Sequence, residues 1–197
     1  MLDATQTALI SAAAAIAGGL LSGAYQHFRD WLSRPILVID SEDSEAHRVE
    51  VNYKTPEGRD TGEVFIRAKI RNTGRRPAKN AQVFLTSLRE VHTGGGTTKT
   101  SLHDAKMLPW SGWNFTPRAI PPAPGAHFFV DIVRVSKDSS GWIFCVDKLF
   151  ASQNNLKDYR GTYGFELTAT ADNATAVTRK VNVSYNGDWK NLRGVSA

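Results

Sequence analysis

The sequence predicts an all-β fold, an immunoglobulin-like antiparallel β-sandwich, preceded by one N-terminal α-helix. Apolar and polar residues alternate with a period of two in most segments after residue 36, which is typical of strands with one buried face. Turn-prone clusters of Gly, Pro and Asn separate these segments at intervals that suit a sandwich. We therefore expect a helix with an aromatic collar over residues 1–35 and one sandwich domain over residues 36–197.

The first segment has the length and character of a membrane anchor. Residues 4–26 contain no formal charge, and as a helix they would span roughly 34 Å, whereas a bilayer core is about 30 Å thick. This predicts a single-pass membrane protein. A second interpretation stays open, in which the helix is buried inside a soluble oligomer. The collar that follows the apolar run is aromatic and basic, and it consists of Tyr25, His27, Phe28, Arg29, Trp31 and Arg34.

The flanking charges and the cysteine content predict the location of the domain. On the C-terminal side of the apolar segment lie Arg29 and Arg34, whereas the charged groups on its N-terminal side are only Asp3 and the α-amino group. The positive-inside rule then places the sandwich domain in the cytoplasm. Cys145 is the only cysteine, so no internal disulfide can form, and a reducing compartment fits this composition.

Small residues recur at every fourth position of the N-terminal helix. They are Ser11, Ala15, Gly19 and Gly23, and the last two form a G-x-x-x-G motif. Small side chains at this spacing let two helix backbones approach closely. We expect this face to mediate homo-oligomerisation or pairing with another protein. The alternative is that a helix rich in Ala and Gly contains such a spacing by chance.

The rest of the sequence predicts a series of strands. A hydrophobic content of 41% and a charged content of 22% are those of a folded domain. Residues 98–120 show no regular period, and we expect a long crossover or an extra hairpin there. Residues 172–175 are turn-prone and predict a hairpin between the last two strands. The predicted strands lie around residues 36–39, 49–53, 64–70, 81–85, 127–135, 141–146, 163–171 and 177–185.

One stretch resembles a known family. Residues 66–85, IRAKIRNTGRRPAKNAQVFL, are similar to the unit of two strands joined by an Asn-x-Gly turn in bacterial immunoglobulin-like modules of the CARDB type. The resemblance implies that Asn72-Thr73-Gly74 carries the chain from one strand to the next, often between sheets. Such sandwiches serve adhesion, spacing or protein recognition, and the resemblance therefore implies no catalytic activity.

Two tryptophans three residues apart, Trp110 and Trp113, lie in a Gly- and Pro-rich stretch and are candidates for binding a partner. Aromatic side chains dominate the binding energy of many protein interfaces. The alternative is that both rings close one end of the hydrophobic core, because large aromatic side chains are mostly buried.

Basic residues are densest in and after the strand over residues 64–70. They are candidates for contact with an anionic surface, such as lipid headgroups or phosphates. The alternative is a solvated sheet face. Nucleic acid is disfavoured, because no RNP motif, zinc-ligand spacing or recognition helix accompanies the patch. The patch consists of Arg67, Lys69, Arg71, Arg75, Arg76 and Lys79.

The sequence contains no recognisable catalytic, cofactor or metal motif. G-x-S-x-G, P-loop and G-x-G-x-x-G patterns are missing, and His92, His103 and Asp131 lack metal-ligand spacing. We expect neither enzyme activity nor a cofactor or metal. The expected function is that of a membrane-tethered binding domain that recognises a protein partner through strand edges or end loops. The alternative is an effector or enzyme with a site in residues 98–131.

Overall fold

The computed structural model describes residues 18–19, 22–42, 44, 46–92, 96–99, 104–112, 114–137, 142–145, 155–156 and 160–195. The chain divides into two compact units, Met1–Arg34 and Pro35–Ala197. The first contains the N-terminal helix and the second contains every described strand.

The described helical residues of the first unit are 18–19 and 22–33, and the second of these ranges is named α1. It contains the charged Arg29 and Asp30. Within the described ranges no helix is both long and apolar enough to cross a membrane. This finding contradicts the predicted location, that of a single-pass membrane protein with a cytoplasmic sandwich.

The collar residues lie along α1 as exposed side chains. The rings of Phe28 and Trp31 stack with their centroids 6.1 Å apart, and the Arg34 guanidinium lies 5.5 Å from the Trp31 ring centroid. A Cβ atom added to Gly19 or Gly23 would meet no atom within 4 Å, so this glycine face packs against nothing in the described chain. Ser11 and Ala15, the other two predicted packing residues, lie outside the described residues.

The second unit is all-β, as predicted, and its described pairings are all antiparallel. One sheet has the order β1-β3-β8-β9-β10, with β2 also paired to β3. The other has the order β13-β12-β11-β4-β5, with β6 and β7 also paired to β4. A short 3-10 turn, Trp189–Asn191, precedes the last strand. The strands are β1 Leu37–Asp40, β2 Arg48–Lys54, β3 Asp60–Asn72, β4 Ala78–Val91, β5 Thr97–Lys99, β6 Lys106–Met107, β7 Arg118–Ile120, β8 His127–Ser136, β9 Trp142–Phe144, β10 Asn155–Leu156, β11 Gly161–Ala171, β12 Ala174–Tyr185 and β13 Arg193–Val195.

The period-two patterns predict which side chains are buried. In β3, alternate residues from Val64 to Ile70 are buried, whereas Lys69 and Arg71 lie on the opposite face. Phe165 of β11 belongs to the same hydrophobic cluster, together with Ile66 of β3. The two sheets therefore share one core, and burial of these apolar side chains is the main stabilising contribution.

The stretch over residues 98–120 holds short strands rather than a single crossover. Its described parts include the end of β5, all of β6 and all of β7, and each of these strands pairs with β4.

The predicted hairpin between the last two long strands, β11 and β12, is present, with Ala171 opposite Ala174.

The buried side chain of Asn72, at the end of β3, joins three parts of the second unit. It is 4% exposed. Its Oδ1 accepts hydrogen bonds from Ile36 N at 3.0 Å and from Gly74 N at 2.9 Å. Its Nδ2 donates to Arg76 O at 2.7 Å and to Ile120 O at 3.1 Å. Both lone pairs and both amide protons are thus used, and they connect the start of β1, the β3–β4 turn and the end of β7.

Replacement of Asn72 should destabilise the second unit strongly. Asn72→Ala removes four hydrogen bonds and leaves carbonyl and amide groups without partners in a buried place, which should lower the free energy of unfolding by about 2–4 kcal/mol. Asn72→Asp should lower the free energy of unfolding at least as much, because a carboxylate oxygen would then face the carbonyl oxygens of Arg76 and Ile120. The measurement is urea unfolding of both variants. Thr73→Ala, in the same turn but exposed, is the control and should change stability by less than about 0.5 kcal/mol. A mild effect of Asn72→Ala would contradict this role.

Candidate functional site

A groove of about 500 Å³ opens on the outer face of the first sheet. Its floor is formed by Lys69 and Arg71 of β3 with Asp40 of β1. Residues 72–74 form one wall and the loop over residues 122–126 forms the other. The volume lies in the range of about 300–1,000 Å³ that is typical of ligand sites in proteins.

Local hydrogen bonds hold both walls of the groove. Asn72 fixes the first wall through Gly74 N, and through Ile120 O it holds the strand that leads into the second. In the second wall, Ala126 N donates to Ala123 O at 3.0 Å. Gly125 closes this turn with a φ of +81°, a conformation that residues with a Cβ rarely adopt. The walls are therefore formed before any ligand binds, which lowers the entropy cost of binding.

The charges on the floor are unequally paired. Arg71 Nε donates to Asp40 Oδ2 at 2.5 Å, and the hydrogen bond and charge of Asp40 raise the pKa of Arg71. Lys69 lies opposite Asp40 in the β1–β3 register and is only half exposed. Across the described ranges no acidic group forms an ion pair with Lys69. Glu42 also lines the groove, so its acidic and basic residues are equal in number. Lys69 nevertheless forms no ion pair in the described structure, and a ligand carboxylate can pair with it.

The structure divides the predicted basic patch. Arg67 forms an ion pair with Asp131, at 3.1 Å between Nε and Oδ1, and its guanidinium carbon lies 5.9 Å from the ring centroid of Phe65 and 5.9 Å from that of Phe129. Lys69 and Arg71 line the groove. Arg75 and Arg76 in the turn between β3 and β4, and Lys79 at the start of β4, are exposed and do not line the groove.

Asp131 anchors the segment that contains Trp110. Its carboxylate, 2% exposed, accepts a hydrogen bond from Ser111 Oγ at 2.8 Å. Burial raises the pKa of Asp131, while the bond from Ser111 and the charge of Arg67 act in the opposite direction. Backbone bonds from Ser111 N to Phe129 O, 2.8 Å, and from Asp131 N to Pro109 O, 3.1 Å, hold the same segment against β8.

The structure places Trp110 in the core, where it is 3% exposed. Its ring meets Phe128 edge to face, with centroids 5.9 Å apart. This agrees with the alternative that the sequence left open, in which the ring fills the core. Trp113, the other predicted partner-binding residue, lies outside the described residues.

The two described residues among His92, His103 and Asp131 are associated with different sheets. His92 follows β4 of the second sheet, where its Nε2 lies 2.7 Å from Thr98 Oγ1, whereas Asp131 lies on β8 of the first sheet. His103 lies outside the described residues. The described part of the chain contains no group of three side chains suited to hold a metal. Burial raises the pKa of the Cys145 thiol well above its usual range, which is typical of a structural cysteine.

Comparisons with known proteins provide no family for this chain. No protein-family model matches the sequence, and neither does any curated protein. A solved structure described as the X-ray structure of Northeast Structural Genomics Consortium target SoR45 aligns with 79% of this chain and 90% of its own, at 9% sequence identity. The TM-score is 0.32, and a likeness at that level carries no argument about fold or function.

Sequence reasoning identified two basic residues of the groove but not the groove itself. Asn72-Thr73-Gly74 and the Pro-rich run over residues 121–125 are both evident as turns. Nothing in their spacing indicates that they face each other, and no local pattern marks Asp40 as the partner of Arg71. The feature of the sequence that came nearest to indicating the groove was the Asn-x-Gly turn, which the resemblance of residues 66–85 implies to pass between sheets.

Asp131 should make stability depend on pH. Since burial raises its pKa above the ordinary value of 3.8, the folded protein binds this proton more readily than the unfolded chain. Its contribution to the free energy of unfolding should therefore rise as pH falls through the folded pKa, and level off below 3.8. In urea unfolding between pH 7 and pH 4, wild type should gain stability relative to Asp131→Asn, with a slope of at most about 1.4 kcal/mol per pH unit. A stability difference that does not change with pH would contradict this.

Proposed function

We propose that this chain is a non-catalytic protein-recognition module that binds an acidic segment of a partner protein in the groove over Lys69. The observation that carries the proposal is the half-buried Lys69 in a preformed groove, without an acidic partner in the described structure. A partly desolvated cation is costly unless a charged or polar group compensates it. A ligand carboxylate is such a group.

We further propose that the second unit is an immunoglobulin-like sandwich of the CARDB type. The support is that two antiparallel sheets share one core and that the chain passes from one sheet to the other through Asn72-Thr73-Gly74. In the modules that this stretch resembles, the corresponding turn has the same place. Their roles in adhesion, spacing and protein recognition fit a binding function.

The lining of the groove favours a peptide over a small polar metabolite. Pro122, Ala123 and Pro124 contribute apolar surface along one wall, while the Arg71–Asp40 ion pair and Lys69 contribute charge along the floor. A segment with Asp or Glu beside apolar residues matches both surfaces. Pre-formed sites of this kind combine apolar contact area with a few polar groups that fix orientation.

The proposal is tested by selecting peptides from a random library displayed on phage against the full chain. We expect the selected peptides to be enriched in Asp and Glu, and their affinity to fall about 10- to 100-fold for Lys69→Glu, since a hydrogen bond to a charged group contributes about 1.5–3 kcal/mol. The readout is the dissociation constant of synthetic peptides by calorimetry.

Lys79→Glu is the matched control for this experiment. Lys79 belongs to the same basic patch but is exposed and does not line the groove, so its reversal should change affinity by less than about threefold. Equal losses for both variants would mean that net charge attracts the peptides and that the groove does not. Selected peptides without acidic residues would also contradict the proposal.

A further inference from the structure

Strand β2 is an edge strand with an unusual exposed face. Within the described residues it pairs with β3 alone. Residues 50–54 are exposed, including the apolar side chains of Val51, 40% exposed, and Tyr53, 44% exposed. Edge strands usually carry proline, a bulge or charged side chains that prevent pairing with another strand. Between residues 48 and 54 there is no proline and the β2–β3 register runs without a shift, while the charged residues Arg48, Glu50 and Lys54 are of both signs.

The register shows which backbone groups of β2 point to the free edge. Arg67 N donates to His47 O at 2.8 Å, and Thr55 N donates to Arg59 O at 2.9 Å. Odd-numbered residues of this hairpin therefore exchange hydrogen bonds with β3. In an antiparallel ladder the intervening residues face the other way. The N–H and C=O groups of Glu50, Asn52 and Lys54 thus point away from β3.

The side chains of β2 complement a second copy of β2 in one antiparallel register. With Asn52 opposite Asn52 of the second copy, Glu50 lies opposite the Lys54 of that copy and the reciprocal pair forms by symmetry. Val51 then lies opposite Tyr53 on the exposed apolar face. In this arrangement the backbone N–H and C=O groups of Glu50, Asn52 and Lys54 form hydrogen bonds with the second copy.

Neighbouring registers lack this complementarity. With Val51 opposite Val51, Arg48 would face Lys54 of the second copy. With Glu50 opposite Glu50, two carboxylates would meet at the centre. Like charges directly opposite each other destabilise a strand pair. With Tyr53 opposite Tyr53, Glu50 would face Pro56 and Lys54 would face Asn52, so neither charge would gain an oppositely charged partner. The charge pattern of β2 therefore favours the register centred on Asn52, in which both charges are paired in a two-fold symmetric contact.

We propose that two copies of this chain associate through β2 in the register centred on Asn52, which joins their first sheets into one continuous sheet. The inference is independent of the proposed function, because β2 pairs with residues 60–66 of β3 while the groove floor lies at Lys69 and Arg71. The partner that pairs with the free edge of β2 is a second copy of this chain, because Glu50 of each copy then lies opposite Lys54 of the other.

Charge reversal tests this inference with the full chain in analytical ultracentrifugation. Wild type should dimerise. Glu50→Lys and Lys54→Glu should each weaken dimerisation at least about tenfold, because each places like charges at both reciprocal pairs. The double variant Glu50→Lys with Lys54→Glu should restore the wild-type dissociation constant within about threefold. An equimolar mixture of the two single variants should form a heterodimer, since all four charges are then complementary.

Asn52→Pro is a second variant that blocks the edge directly. The N–H at this position points away from β3, so proline removes a donor from the proposed interface without removing a β2–β3 bond. It should yield a monomer whose urea midpoint matches that of wild type at a protein concentration low enough to dissociate the wild-type dimer. A monomeric wild type, a double variant without rescue, or a dimer that survives Asn52→Pro would each overturn the inference, the last by indicating another surface such as the N-terminal helix.

Discussion

The second unit depends on the four hydrogen bonds of the Asn72 amide. β3 and β4 follow each other in sequence but belong to different sheets, so the chain must leave one sheet and enter the other within residues 73–77. Buried backbone groups in such a crossing need partners. Asn72 supplies them at Ile36, Gly74, Arg76 and Ile120. A hydrophobic side chain of similar size would fill the space and leave all four groups unsatisfied.

The same constraint shapes the proposed binding groove. The turn after Asn72 is one wall, and the chain beyond Ile120 becomes the other, so a single side chain sets the distance across the site. Between the walls, β3 presents Lys69 and Arg71 on the face opposite the core. The hydrogen bonds of Asn72 therefore stabilise both the crossing between the sheets and the walls of the groove. The β2 edge contacts another stretch of β3, so the proposed self-association and the proposed groove binding involve separate parts of one strand.

Much of this fold could be predicted from local patterns, and the failures have physical causes. The alternation over residues 64–70 predicts the buried face of β3 because side chains in a strand point to opposite sides. Residues 98–120 appeared irregular because strands of two or three residues, such as β6, are too short to show a period. The membrane prediction depended on a charge-free run over residues 4–26, whereas no helix in the described ranges is long and apolar enough to cross a membrane. The groove joins turns that lie far apart in sequence, which no local pattern encodes.

Hydrogen exchange at the Asn72 crossing tests the central claim most directly. The amides of Ile36 and Gly74 donate to Asn72 Oδ1 and should exchange as slowly as core amides of β11 in wild type. In Asn72→Ala under native conditions, these amides should exchange much faster while those of β11 remain protected. Equal protection of Ile36 and Gly74 in wild type and variant would contradict the claim that this side chain holds the crossing together.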